Sequence, residues 1–315
     1  MSEARAGRVC DVALVVLACA LPLSIAVSEI TLGVVLLAWL GTRPWRRTPT
    51  PAWRLVALAS GGLVATWLLA SATAGDPVAS LVKARKLWSL ALLLIVADRA
   101  RCARLGDHLS LAALLAGGVS AAFGIAAHVA ERLAPSFAGK RLESVFSTAM
   151  TSGNVFATLL VAGLGEILAR RLSGARRLVG VLVVACLAIA LLGTQTRSAW
   201  LAVLAGTGFL LVRRQPRLLL VLAALVSLVV TLGPGELRER AASVLDPTHP
   251  GNAGRVSLWK SGAAALADRP WTGVGLADHY DFIERYRRPD ATFHAGHFHN
   301  NLVQVAVSTG LVGLV

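Results

Sequence analysis

The chain reads as an all-α integral membrane protein, a polytopic helical bundle with one large, mainly helical loop outside the membrane. Three observations predict this class. Of its 315 residues, 56% are hydrophobic and only 15% are charged, with a mean hydropathy of +0.66, so polar residues are too few to cover a soluble globule of this length. Apolar runs recur from end to end, each bounded by charge, Pro or Gly. The arginines behind the net charge of +14 fall in short clusters between those runs rather than along one face, so topology explains them better than nucleic acid does.

The apolar runs lie at about 9–27, 29–41, 55–73, 87–97, 109–130, 150–168, 178–194, 198–212, 218–232 and 300–315. They make about ten spanning helices. The runs at 29–41 and 87–97 fall short of the roughly 20 residues a span needs and must borrow neighbours such as Ser80 to Lys86. The first run carries Asp11 and Pro22 and has no small-residue cleavage site before a soluble domain, so it reads as a retained helix. Leu178 to Val212 would measure about 52 Å as one helix, too long for a single span. It divides at Gly193-Thr-Gln-Thr-Arg197-Ser, a polar island expected at the outer surface. The organisation that follows is a transmembrane bundle over 1–232, an outer loop over 233–298, and the start of a further spanning helix over 299–315, with more helices expected beyond it.

Arginine clusters at Arg43/Arg46/Arg47/Arg54, Arg99/Arg101/Arg104, Arg170/Arg171/Arg176/Arg177 and Arg213/Arg214/Arg217 occupy alternate loops, on the same side as Arg5 and Arg8. That side is the cytoplasm by the bias of basic residues. Gly233 to Phe298 then faces outward, into the periplasm if the source is a bacterium. Within it, Gly233-Pro-Gly and Asp246-Pro-Thr-His-Pro-Gly are turns. Helical spacing covers Glu236 to Leu245 and Gly254 to Asp268, with Val256, Trp259, Ala263 and Leu266 on one face. The remaining outer loops carry Lys83, Arg85 and Lys86 in one, and Arg132, Lys140 and Arg141 in another. Either these anchor to lipid phosphates or they meet an anionic ligand. Cys10, Cys19, Cys102 and Cys186 lie in or beside the runs and serve as small packing residues rather than a disulfide or thiolate framework.

Two arginines and a histidine cluster carry the chemistry. Arg197 sits between two apolar helices, which is costly unless it snorkels to water or meets an anion. Arg255 lies four residues before Trp259 on the predicted loop helix. Guanidinium forks remain charged and suit a diphosphate. His294-Ala-Gly-His297-Phe-His299-Asn300 stands where the long loop enters the last apolar run. With His279 and Asp278 these imidazoles admit a zinc site, a single general base acting on a sugar hydroxyl, or structural hydrogen bonding at the interface. Asp11, Glu29 and Glu166 lie near run ends and no chain of acids crosses mid-membrane, which disfavours ion-coupled transport. No Walker loop, nucleotide fingerprint or nucleophile elbow occurs either, so the energy must come from the substrate.

The combination resembles the O-antigen ligase family, which shares a domain with O-antigen polymerases and bacterial protein O-oligosaccharyltransferases, and the resemblance extends over most of the chain. The family's loop-end pattern is His, then Asn, Ser or Gln, then nine residues, then Gly-x-x-Gly. His299-Asn300, Asn301 to Thr309, and Gly310-Leu-Val-Gly313 satisfy it. Thr194-Gln-Thr-Arg197-Ser-Ala-Trp200 looks like the family's arginine segment, and Arg255-Val-Ser-Leu-Trp259 and Gly273-Val-Gly275 also fit.

The resemblance implies a GT-C-like membrane glycosyltransferase, usually of about twelve helices, in the bacterial inner membrane with its active site toward the periplasm. Its donor is a polysaccharide on undecaprenyl diphosphate, and its acceptor is a sugar hydroxyl of lipid A-core. Arg197 and Arg255 would hold the diphosphate, joined by Lys83, Arg85, Lys86 or Arg141. His299 would be the base, with His297 as the fallback because the extra imidazoles leave the choice to register with Gly310 and Gly313. The reaction would invert the anomeric carbon, with no cofactor and no metal, and with no nucleic-acid partner. A polymerase or a protein O-oligosaccharyltransferase using the same chemistry is the nearest alternative, and a carrier of lipid-linked glycans the distant one.

Overall fold

The structure, a computed structural model, describes residues 2–99, 103–133, 141–169, 174–244, 246–276, 280–287 and 296–314. In chain order the helices are α1 (Glu3–Ala20), α2 (Ile25–Gly41), α3 (Pro51–Ala72), α4 (Pro77–Ala84), α5 (Ala91–Arg99), α6 (Ala103–Arg132), α7 (Ala149–Leu168) and α8 (Gly174–Gly193). They continue as α9 (Arg197–Arg214), α10 (Leu218–Leu232), α11 (Gly235–Ala242), α12 (Pro250–Asp268), α13 (Tyr280–Arg285) and α14 (Asn301–Thr309). No strand occurs among the described residues. Local chemistry starts many of these helices: Ser2, Ser24, Thr50, Asp76, Thr148 and Asn300 each accept a backbone N–H from the first turn of the helix they precede.

Five of the described helical segments are long and apolar enough to cross a membrane: Ile25–Arg46, Pro51–Ala72, Arg104–Arg132, Ala149–Leu168 and Gly174–Gly193. A sixth is added if α10 and α11, bent by 113° at Gly233-Pro234, form one broken span. This is fewer than the ten expected, and charge and length explain the gap. Glu3, Arg5, Arg8 and Asp11 load α1, three arginines fall within the 18 residues of α9, and α10 has only 15. The run at 87–97 divides into a 3-10 turn, Arg85–Leu90, and the nine-residue α5. The last run is not one continuous helix either, because α14 stops after nine residues at Gly310.

One compact unit comprises 1–44 and 99–244. In it α1 packs on α2 and α6, while α6, α7, α8 and α9 surround a core of Phe156, Leu160, Leu187, Ala190, Leu191 and Ala199. Two of the acids are partnered: Asp11 takes a two-pronged ion pair from Arg99 at 2.7 and 2.8 Å, and Glu166 accepts from Ser110 at 3.2 Å. Cys10, Cys19 and Cys186 are free thiols. Cys102 lies outside the described residues.

The second unit comprises 45–98 and 245–315. Here α14 packs on α12 and α3, around Leu258, Ala265, Ile283, Phe298 and Val307. The two loop helices form where periodicity predicts them, but α12 turns a different face inward. Its buried residues are Gly254, Ser257, Leu258, Ser261, Gly262 and Ala265, whereas Val256 and Trp259 are 42% and 37% exposed. Close approach is the reason: a Cβ on Gly262 would stand 2.6 Å from Val303 and 3.2 Å from the Phe298 ring, so small residues line the contact.

Candidate functional site

The histidine segment is held from both sides by Phe298. Its ring is fully buried, its N–H donates to Gln304 Oε1 at 3.1 Å, and its carbonyl accepts from Trp259 Nε1 at 3.0 Å. Asn300 then starts α14, its Oδ1 accepting from the N–H groups of Leu302 and Val303 at 2.9 and 3.3 Å. Between these anchors His299 is forced to φ +51°, left-handed backbone that a side-chain-bearing residue seldom adopts. The turn directs the His299 N–H to His297 Nδ1 at 3.3 Å and brings the two imidazoles edge to face, with centroids 3.9 Å apart. Burial, then the neighbouring His297, then the charge of Arg255 hold the His299 pKa below the usual imidazole range. A neutral imidazole with Arg255 nearby is the state a general base requires.

The far end of α14 is fixed by backbone bonds to the segment after α12. Val274 and Gly275 donate to the carbonyls of Val307 and Ser308, each at 2.9 Å, and Leu311 donates to Pro270 at 2.8 Å. Two glycines permit the crossing. Gly273 at φ +67° and Gly310 at φ +69° would carry Cβ atoms 2.4 and 2.1 Å from the carbonyl oxygens of Val307 and Trp271. Gly310, after His299, is therefore a packing device that lets the end of α14 meet the segment after α12. Leu276 N–H donates to Ser80 Oγ at 2.7 Å, which ties the segment to α4. Lys83, Arg85 and Lys86 lie exposed at the end of that helix and in the turn after it. No hydrogen bond joins them to His299 or Arg255 among the described residues. His294, His279 and Asp278 lie outside the described residues, among which no group of three or more metal-ligating side chains occurs.

A second cluster forms in the other unit around the turn between α8 and α9. The polar island breaks the helix where expected, with Gln195 at φ +49°, and Arg197 is the first residue of α9. Its Nη1 donates to the carbonyl and Oγ of Ser243 at 2.7 and 3.0 Å. Arg141 donates from Nε to the Thr194 carbonyl at 2.7 Å and from Nη2 to Thr196 Oγ1 at 2.8 Å. Thr196 Oγ1 in turn donates to the Ala149 carbonyl at 3.1 Å and provides no side-chain cap for α9. Lys140 lies outside the described residues.

Sequence reasoning missed three members of this cluster, all centred on α11. Arg240 donates from Nε to the Gln195 carbonyl at 3.2 Å. Glu236 accepts from Arg132 and from Gln195 Nε2, both at 3.1 Å. Glu236, Arg240 and Ser243 are spaced i, i+4, i+7, so they share one side of the helix. That polar face was the signal available in the sequence. Burial, then Arg240, opposed by Glu143, then Arg197 lower the Arg141 pKa from the usual guanidinium value, which places like charges close together.

The expected site residues thus divide between the units, Arg141 and Arg197 in one, and Lys83, Arg85, Lys86, Arg255, His297 and His299 in the other. The O-antigen ligase family model matches residues 180–315, from within α8 to the end of the chain, and takes in Arg197, Arg240, Arg255 and His299. Over those residues the chain is similar to the O-antigen ligase family. The match is narrower than the resemblance expected over most of the chain, and Lys83, Arg85, Lys86 and Arg141 precede it. No curated protein matches the chain.

Proposed function

We propose that the protein is an inverting, metal-independent glycosyltransferase that moves O-antigen polysaccharide from undecaprenyl diphosphate to a sugar hydroxyl of lipid A-core, at the periplasmic face of the inner membrane. The observation that carries the chemistry is the His299 imidazole set edge to face against His297 at the start of α14, where burial, His297 and Arg255 lower its pKa. It takes the proton of the acceptor hydroxyl as the oxygen attacks the anomeric carbon; the new C–O bond forms while the bond from that carbon to the diphosphate oxygen breaks on the opposite side. The diphosphate leaves with the electron pair, and fixed guanidinium charge stabilises it. Arg255 stands beside the base, while Arg197 supplies the same charge from the α8–α9 turn. Lys83, Arg85 and Lys86 are exposed cations available to the carrier's phosphates or to lipid headgroups.

Arg141 has a narrower part in this reading than its charge alone implies, since two of its donors hold the turn that presents Arg197. The test is transfer by purified protein given undecaprenyl-diphosphate-linked glycan and lipid A-core, with no nucleotide and with a chelator present. Glycan joined to lipid A-core is the expected product. Elongated glycan on the carrier would replace the ligase reading by a polymerase, and loss of turnover on chelation would return the imidazoles to a metal site.

A further inference from the structure

We infer that Arg240, on the loop helix α11, is a further diphosphate ligand, completing with Arg197 an anion site at the start of α9; this rests on the donor class proposed above. Three guanidinium groups, Arg141, Arg197 and Arg240, gather at the turn from Thr194 to Thr196, and the hydrogen bonds of Arg141 and Arg240 go to uncharged oxygens. The nearby acid, Glu236, is engaged by Arg132 and Gln195. Arg240 uses only Nε in its bond to Gln195, so its two Nη groups, which take no hydrogen bond among the described residues, retain their donors for an oxyanion.

The helix itself adds positive potential. Thr196 provides no side-chain cap, and Arg197 stands at the first position of an 18-residue helix, where the backbone dipole already favours an anion and disfavours a cation. Like charges gathered there repel one another, and a multivalent anion offsets that repulsion. A diphosphate has the charge and the several oxygens to meet more than one guanidinium fork. Glu236, Arg240 and Ser243 all face the turn from one side of α11, so a ligand shared by Arg240 and Arg197 would bridge the loop helix to α9.

Binding of undecaprenyl diphosphate to the full chain in nanodiscs tests this, with inorganic pyrophosphate as competitor. Arg240→Ala should weaken binding about tenfold, the loss of one charge-assisted contact, and Arg240→Lys should lose less because it retains the charge without the fork. Arg238→Ala removes the same charge from an exposed position of the same helix and should bind like the unaltered protein. Equal affinity for Arg240→Ala and the unaltered protein, or equal losses at Arg238 and Arg240, overturns the assignment while leaving the proposed function standing. Failure of the unaltered protein to bind the diphosphate removes the donor reading itself. If Arg240→Ala does not fold, Arg240→Lys decides: undiminished binding overturns the inference.

Discussion

At the α8–α9 turn and at the entry to α14 the chain holds a side-chain-bearing residue in left-handed backbone, Gln195 at φ +49° and His299 at φ +51°. Each such residue costs roughly 1–2 kcal/mol, so both depend on surrounding bonds to persist. The means differ. Arginine side chains grip the first turn, Arg141 through the Thr194 carbonyl and the Thr196 hydroxyl, and Arg240 through the Gln195 carbonyl. The second is held by burial of Phe298, the Trp259 indole and the Asn300 cap, with no cation in those roles. The turn thereby concentrates charge that does not titrate near neutrality, whereas the loop produces an imidazole that stays neutral there. The proposed transfer would call on both kinds of group: a permanent charge for the leaving diphosphate and a base for the incoming alcohol.

The largest expected effect separates the two regions by function. His299→Ala should lower the transfer rate by about 10²- to 10⁴-fold while leaving donor binding nearly unchanged; full turnover by the purified variant would end the base assignment. Arg197→Ala should act the other way, weakening donor affinity by roughly 10- to 100-fold. Unchanged affinity and rate would reduce Arg197 to an interfacial anchor.

Acidity sharpens the contrast. Since the His299 pKa lies below the usual imidazole range, its proton-accepting form persists through mildly acidic solution. The transfer rate should therefore be flat around neutrality and fall only in more acidic buffer. Donor binding, governed by guanidinium groups, should not follow it. A rate that falls together with binding would place the titrating group in the phosphate site.

Smaller effects probe the scaffold of the loop. Trp259→Phe removes the indole bond to Phe298 at a cost of about 1 kcal/mol, read as a loss of rate several times greater than any loss of donor affinity. Asn300→Ala removes the α14 cap, also worth about 1 kcal/mol, and should lower the thermal midpoint of the purified protein. An unshifted midpoint would mean that the packing of α14 on α12 and α3 holds the segment without its cap.

Much of this was legible in the residues themselves. Helical class, the break at Gly193 to Arg197 and the two loop helices follow from composition, periodicity and turn residues, which act over a few positions. The choice of His299 over His297 rested instead on the resemblance of His299-Asn300 and Gly310-Leu-Val-Gly313 to the family's loop-end pattern. Longer-range contacts decided the rest. The crossing of the segment after α12 with the end of α14 at Gly310 ended that helix early.

By itself, then, the sequence determined which stretches are helices, where they break and which residue types stand at the breaks, because backbone propensity and hydrophobic patterning are local properties. Only the tertiary structure decided that α12 buries its small residues rather than Val256 and Trp259, that Arg141 spends two donors on the turn before Arg197, and that Arg240 faces that turn. Those outcomes depend on which atoms far apart in the chain come within hydrogen-bonding or van der Waals distance, and no spacing along the chain encodes that distance.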